Sequence, residues 1–240
     1  MLSTENLSKF IEQTQTSKEN VVREYCQHVL LSYLYQQPGA ERLLFKGGTA
    51  LRMVFQSPRY SEDLDFTGIH ISQTEVENIF TDTLAHVEHV GIHVALEEAK
   101  FTTGGYLGIA IFHTYGLSIP VRIEVSLRND KNLGGTRSLV HNEYIPPYTL
   151  VHLVKEKIIQ GKMQALLNRH KPRDFYDYFF LLSGNYPIVK ERGNLEQVLT
   201  LLQKTKIDFR SEIKELLPKS HAMHLRNFKK ILEEKIAEFL

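Results

Sequence analysis

The stretch Phe45-Lys46-Gly47-Gly48-Thr49-Ala50-Leu51, followed by Arg59-Tyr60-Ser61-Glu62-Asp63-Leu64-Asp65-Phe66, decides how the rest of the chain is read. Leu43-Leu44-Phe45 is an apolar run too short for a helix, and it reads as a strand running into Gly47-Gly48. Thr49 to Phe55 reads as helix, and Leu64 with Phe66 marks a second short strand. Lacking a Cβ, the two glycines let backbone N–H groups approach an anion. The helix N-terminus behind them favours negative charge, and Thr49 adds a hydroxyl donor. A plain strand-to-helix turn uses the same residues, so the pair alone is a weak signal. Asp63 and Asp65 strengthen it. Residues i and i+2 of a strand share a face, and two carboxylates there repel unless a cation lies between them. Hard oxygen donors suit Mg²⁺ or Mn²⁺, the ions that also bind phosphates. An Asp-x-Asp can equally sit on a solvated strand edge. The glycine pair 15 residues upstream of Asp63, one helix away, favours the cation.

On either side the pattern extends. Val21, Val22, Tyr25, Val29, Leu30, Tyr33 and Leu34 recur at helical spacing over about 18–36, ended by Gln37-Pro38-Gly39. Ser72 and Glu75 fit a capping box that opens another helix. Strands are expected near 92–99, 106–113 and 119–127. In the last of these Val121, Ile123 and Val125 alternate with Arg122, Glu124 and Ser126, the mark of a strand with one buried face. Asn129 to Thr136, with Gly134-Gly135, reads as a loop. Pro146-Pro147 marks a domain boundary, beyond which 148–168, 173–183, 195–204, 208–216 and 220–239 read as helix. The expectation is an α+β protein: an α/β domain over 1–146 and a helical domain over 147–240.

Composition sets the outer limits. The 240 residues are 42% apolar and 24% charged, as in ordinary globular proteins, which excludes low-complexity disorder. The single Cys26 excludes an internal disulfide and a cysteine metal site. No apolar run reaches the roughly 18 residues of a membrane span, and MLSTENLSKF lacks a signal-peptide pattern, so the cytoplasm is the expected location. Charge is uneven. Residues 1–146 hold 12 Lys/Arg against 17 Asp/Glu, and residues 147–240 hold 17 against 11, a net of −5 beside +6. An acidic half suits a metal and a basic half suits a polyanion, although two solvated surfaces could differ this much by chance.

Gly-Gly-Thr, a spacer helix and Arg-x-Ser-x-Asp-Leu-Asp-Phe resemble the signature of the DNA polymerase β-like nucleotidyltransferase superfamily. More narrowly, they are similar to the AbiEii/AbiGii toxin family, which includes the MenT-like toxins. A second block carries the resemblance: Lys162, a helix ending at Arg169, then Pro172-Arg173-Asp174 and a later Asp177. Gly161 departs from the Glu usual before that lysine. The resemblance implies a nucleotidyltransferase-type mixed sheet with flanking helices, followed by a helical bundle. It further implies that Gly47, Gly48, Thr49, Lys162 and Asp177 bind a nucleoside triphosphate, and that Asp63, Asp65 and a third carboxylate hold two Mg²⁺ or Mn²⁺ ions. Glu124, on the polar face of its strand, is the best third carboxylate; an exposed residue paired with Arg122 is the plainer alternative.

Lys155, Lys162 and Arg169 recur every seven residues and so fall near one helix face. Lys162 would neutralise triphosphate charge, with Asp174 orienting it or contacting base or acceptor. Asp174 would otherwise compensate the helix dipole. The implied activity is transfer of a nucleotide to RNA, tRNA above all, by the toxin of a toxin–antitoxin or phage-defence pair with a cognate antitoxin. A small-molecule acceptor, or an inactive RNA- or partner-binding protein with this fold, are the alternatives. The histidine pairs His86/His89 and His221/His224 lack an obvious third ligand.

Overall fold

Two helices precede the glycine turn. α1 (Thr4–Thr14) opens at Ser3, whose hydroxyl accepts from the Asn6 N–H, and buries only Leu7. α2 (Lys18–Leu34) is capped in the same way by Ser17 and is buried on almost every side from Asn20 to Leu31. An all-round buried helix needs no amphipathic stripe, and the apolar residues of α2 therefore spread around it. The computed structural model describes residues 2–128 and 133–240.

β1 (Leu43–Lys46) runs directly into α3 (Gly47–Phe55), and β2 (Asp63–Ile69) returns beside β1 with Phe45 opposite Phe66 and Lys46 opposite Asp65. α4 (Gln73–His89) carries the expected capping box between Ser72 and Glu75. β3 (His93–Thr102), β4 (Gly105–Thr114) and β5 (Leu117–Arg128) form an antiparallel meander. They are followed by β6 (Gly135–Val140) and β7 (Tyr148–Leu153). Together the strands make one mixed seven-stranded sheet in the order β3-β4-β5-β2-β1-β7-β6, with β2/β5 and β1/β7 parallel. A part-buried ion pair ties α3 to α2: Arg52 donates from Nε to Glu24 at 2.6 Å, and Tyr144 Oη donates to the same carboxylate at 2.8 Å.

Beyond β7 the chain is helical. α5 (Lys155–Arg169) and α6 (Pro172–Ser183) pack together; α7 (Arg192–Lys204), the single-turn helices α8 (Arg210–Ile213) and α9 (Lys219–Ala222), and α10 (Phe228–Ala237) complete it. Phe175, Tyr176, Phe209 and Phe228 pack into one aromatic core, Tyr176 stacked on Phe228 and Phe209 edge-on to Phe175 and Phe228. By internal contacts the chain forms two compact units, Met1–Gln56 with Tyr60–Val154, and Ser57–Arg59 with Lys155–Leu240.

Three sequence expectations need correction. The helix expected over 148–168 starts at Lys155, because Leu150 and Val151 belong to β7. A short apolar run beside a helix of matching periodicity is easily absorbed into it. The helical unit accordingly starts after Val154 instead of at Pro146-Pro147, and it takes in the distant segment 57–59. The loop expected over 129–136 gives way to β6 at Gly135, and residues 129–132 lie outside the described residues.

Candidate active site

At the β1–α3 junction the backbone of Gly47 has φ +85°, a conformation open to glycine and strained for any other residue. A Cβ there would also lie 2.0 Å from Asp65 Oδ2. The glycine turn and the second aspartate are thus in direct apposition, as the sequence motif requires. Gly48 begins the first turn of α3. Thr49 departs from expectation: it is buried, and its hydroxyl donates to the Asp63 carbonyl oxygen at 2.5 Å. That proton ties the start of α3 to the start of β2 and is not offered to a phosphate.

Along β2, Leu64 and Phe66 are fully buried, and Asp63 and Asp65 occupy the opposite, half-buried face. β5 runs parallel in a register that sets Arg122 opposite Asp63 and Glu124 opposite Asp65. Asp63, Asp65 and Glu124 therefore share one sheet face on neighbouring strands. The electrostatics follow from this placement. Burial pushes the Asp63 carboxyl above the usual carboxylate range, and Asp65 and Glu124 push it further, while Arg122 opposes them. Lys46, opposite Asp65, is lowered by burial against the pull of that carboxylate. Glu124 is drawn to Arg122, which lies 2.6 Å away with both side chains about half exposed.

The donor set fits a hard divalent cation in chemistry and in face. All three side chains offer carboxylate oxygens, and the mutual repulsion that raises Asp63 is relieved by a cation. They are not drawn into a ready-made cage: among the described residues no group of three or more His, Cys, Asp or Glu side chains is close enough to hold a metal ion. Asp63 and Asp65 are in place on one strand, and Glu124 would have to exchange Arg122 for the ion.

Within the helical unit a second cluster surrounds Asp177 on α6. Arg59 donates to it bidentately, Nε to Oδ1 at 2.8 Å and Nη2 to Oδ2 at 3.0 Å, and Lys162 on α5 donates to Oδ2 at 2.7 Å. The Asp177 and Arg59 side chains are 1% and 4% exposed, and Lys162 is 13% exposed. Burial alone would raise the pKa of Asp177, but Arg59 and Lys162 outweigh it and hold the carboxyl at about 2. Asp174 does not orient Lys162. It accepts from Arg169 Nη2 at 2.6 Å and caps α6 by accepting from the Lys171 N–H at 3.3 Å. Pro172 at the helix start sets that geometry, and the carboxylate sits where the helix dipole favours it. Asp177, one turn further on, takes the lysine instead. Sequence reading did not pair Arg59 with Asp177, because 118 residues separate them and no local periodicity links the two.

A mixed sheet carrying a glycine turn against an Asp-x-Asp strand, with a separate helical unit, defines the nucleotidyltransferase class of fold. The profile of the AbiEii family, described as "Nucleotidyl transferase AbiEii toxin, Type IV TA system", matches residues 28–240. The chain belongs to this family of nucleotidyltransferase toxins. The fold is similar to the crystal structure of JHP933 from Helicobacter pylori, with a TM-score of 0.55 at 16% identity over 93% of this chain and 95% of that one. It is also similar to a candidate nucleotidyltransferase from H. pylori, with a TM-score of 0.54 at 18% identity over 93% of this chain and 99% of that one. No curated protein sequence matches the chain. Among the described residues no helix is long and apolar enough to cross a membrane.

Proposed function

We propose that this nucleotidyltransferase moves a nucleoside monophosphate from a nucleoside triphosphate to RNA, with tRNA the leading acceptor. In this reading it acts in the cytoplasm as the toxin partner of an antitoxin. The observation that carries the catalytic part is the shared face of Asp63, Asp65 and Glu124, with Asp65 lying against the Gly47 turn. Asp63 and Asp65 would hold Mg²⁺ or Mn²⁺, joined by Glu124 once it leaves Arg122. When bound, such ions supply Lewis acidity that activates an acceptor hydroxyl and offsets charge at the displaced phosphate. The chain's own residues do the rest. Backbone N–H groups of Gly47 and Gly48 at the start of α3 receive phosphate oxygens. Thr49 keeps α3 and β2 in register through the Asp63 carbonyl. Lys162 neutralises triphosphate charge, held in place by Asp177.

The RNA acceptor is supported by charge. Residues 57–59 and 155–240 carry 18 Lys/Arg against 11 Asp/Glu, a surplus suited to a polyanion. The test incubates the protein with total RNA, Mg²⁺ and each labelled nucleoside triphosphate in turn, beside an Asp63→Asn control. Label in the tRNA fraction, lost in the control and falling steeply with added salt at the binding step, is the expected result. Label appearing on a small neutral acceptor, with binding indifferent to salt, would replace RNA by a small-molecule substrate. Metal-dependent nucleotide binding without any transfer would make the protein a binding module.

A further inference from the structure

The helical unit pairs its charges unevenly. Arg169 lies 2.6 Å from Asp174 and Arg173 lies 3.3 Å from Glu212, each cation with its own carboxylate. Asp177 is shared by two cations, Arg59 and Lys162. Arg59 takes both oxygens of this carboxylate, so Lys162 shares its counterion with a guanidinium. A guanidinium that grips both oxygens of a carboxylate fixes its plane. Asp177 Oδ2, held in this way, fixes one N–H direction of Lys162 and leaves the other two ammonium protons for a ligand.

We propose that Arg59 is the positioning residue of Lys162. Through Asp177 it orients the ammonium, so that Lys162 engages the triphosphate while Arg59 itself touches no substrate. Asp177 on this view belongs to the support of the lysine and is not a nucleotide contact. Ser57–Arg59 clusters with the helical unit, and Asp63 follows four residues after Arg59 in the chain, so the same short segment serves the lysine and leads into the Asp-x-Asp strand. The charged groups acting on Arg59 are Asp177 first, then Asp174 and Glu212. The proposal rests on the assignment of Lys162 to the triphosphate, and its test separates the two.

The probe is inorganic tripolyphosphate, titrated calorimetrically into the full chain in EDTA at near-physiological salt. Wild type, Lys162→Met, Arg59→Lys and the double variant are compared, with thermal unfolding run on each. Lys162→Met should weaken binding roughly tenfold, and Arg59→Lys, which keeps the charge but loses the two-pronged grip, should weaken it several-fold to roughly tenfold with little change in melting temperature. The double variant should bind no more weakly than Lys162→Met alone. That non-additivity is what a residue acting through Lys162 produces, and a general loss of structure would not. If Arg59→Lys fails to fold, Asp177→Glu takes its place: it keeps every charge, shifts the carboxylate, and should weaken binding only when Lys162 is present. Binding by Lys162→Met equal to wild type overturns the assignment of the lysine, and the role of Arg59 with it. A weakened Lys162→Met beside an unaffected Arg59→Lys overturns the role of Arg59 alone. So does a double variant whose losses multiply, because Arg59 would then meet the phosphate directly.

Discussion

Three carboxylates share one face of β2 and β5, with Arg122 paired to Glu124 and Lys46 opposite Asp65, whereas Asp177, one of two buried aspartates on α6, is gripped by two cations. The contrast shows in Asp63, raised by burial and by its acidic neighbours, and in Asp177, held at about 2 by Arg59 and Lys162. Like charges crowd one another on the sheet, whereas opposite charges meet at Asp177. The acidic cluster on the sheet and the cation-bound carboxylate among the helices can each be broken separately.

Breaking the acidic half should have the largest effect on chemistry. Asp63→Asn removes a proposed cation ligand and is expected to cut nucleotide transfer roughly 10²- to 10³-fold or more, the scale on which electrostatic groups act on transition states. Thermal stability should not fall and should rise slightly near neutral pH, because burial and repulsion already disfavour the ionised form. Transfer retained in a labelled-nucleotide assay would remove Asp63 from the site. A loss of activity matched by a loss of stability would make it a structural residue.

The compensated half should respond in the opposite way, through stability. Asp177→Asn removes the carboxylate that buried Arg59 and part-buried Lys162 share, at a cost of about 3 kcal/mol in denaturant unfolding. The acid limb gives an independent measure. A carboxylate whose pKa is depressed on folding contributes stability above its unfolded value, near 3.9, and loses that contribution as pH falls through about 2. Wild type should lose about 2 kcal/mol from this group across that window, and Asp177→Asn should lack that component of its acid unfolding. Identical acid limbs in the two proteins would show that the pair is not held this tightly.

How much of this was legible in the sequence depends on the distance over which each feature is set. The glycine turn, the Asp-x-Asp strand and the Ser72 capping box are local patterns, and each stands where the sequence places it. The face of Glu124 followed from alternation along β5, but its alignment with Asp65 arises from strand pairing, which one strand's pattern does not contain. β7 was absorbed into the following helix because Leu150 and Val151 fit both periods. The partners of Asp174 and Asp177 were the least legible. Both aspartates lie one turn apart on α6, and only tertiary packing decides that Arg169 takes the first while Lys162 and Arg59 take the second.

A smaller effect tests how closely the acidic half is built. Gly47→Ala forces a Cβ into the space of Asp65 Oδ2 and strains a backbone at φ +85°. It should cost about 1–3 kcal/mol of stability, the range for a non-glycine residue held in a disfavoured conformation against a close contact. Since Asp65 must move, Mn²⁺ affinity should fall as well, and by more than it falls for an alanine at exposed, positive-φ Gly116, where no atom lies within 4 Å of the added carbon. Equal effects at the two glycines would mean that Asp65 moves aside without consequence.

The smallest expected effect is at Arg122, and its sign matters more than its size. Arg122 holds Glu124 at 2.6 Å and restrains the rise of Asp63, yet both partners are about half exposed, so the pair is worth at most about 1 kcal/mol. Arg122→Gln removes a positive charge from a face proposed to receive a dication and releases Glu124 to act as a ligand. Mn²⁺ should bind more tightly by up to about fivefold, and stability without metal should drop by less than about 1 kcal/mol. Weaker Mn²⁺ binding would mean that Arg122 holds Glu124 in the ligating position. The arginine would then belong to the metal-binding construction, and the sheet face would be partly compensated in the manner of the helical cluster.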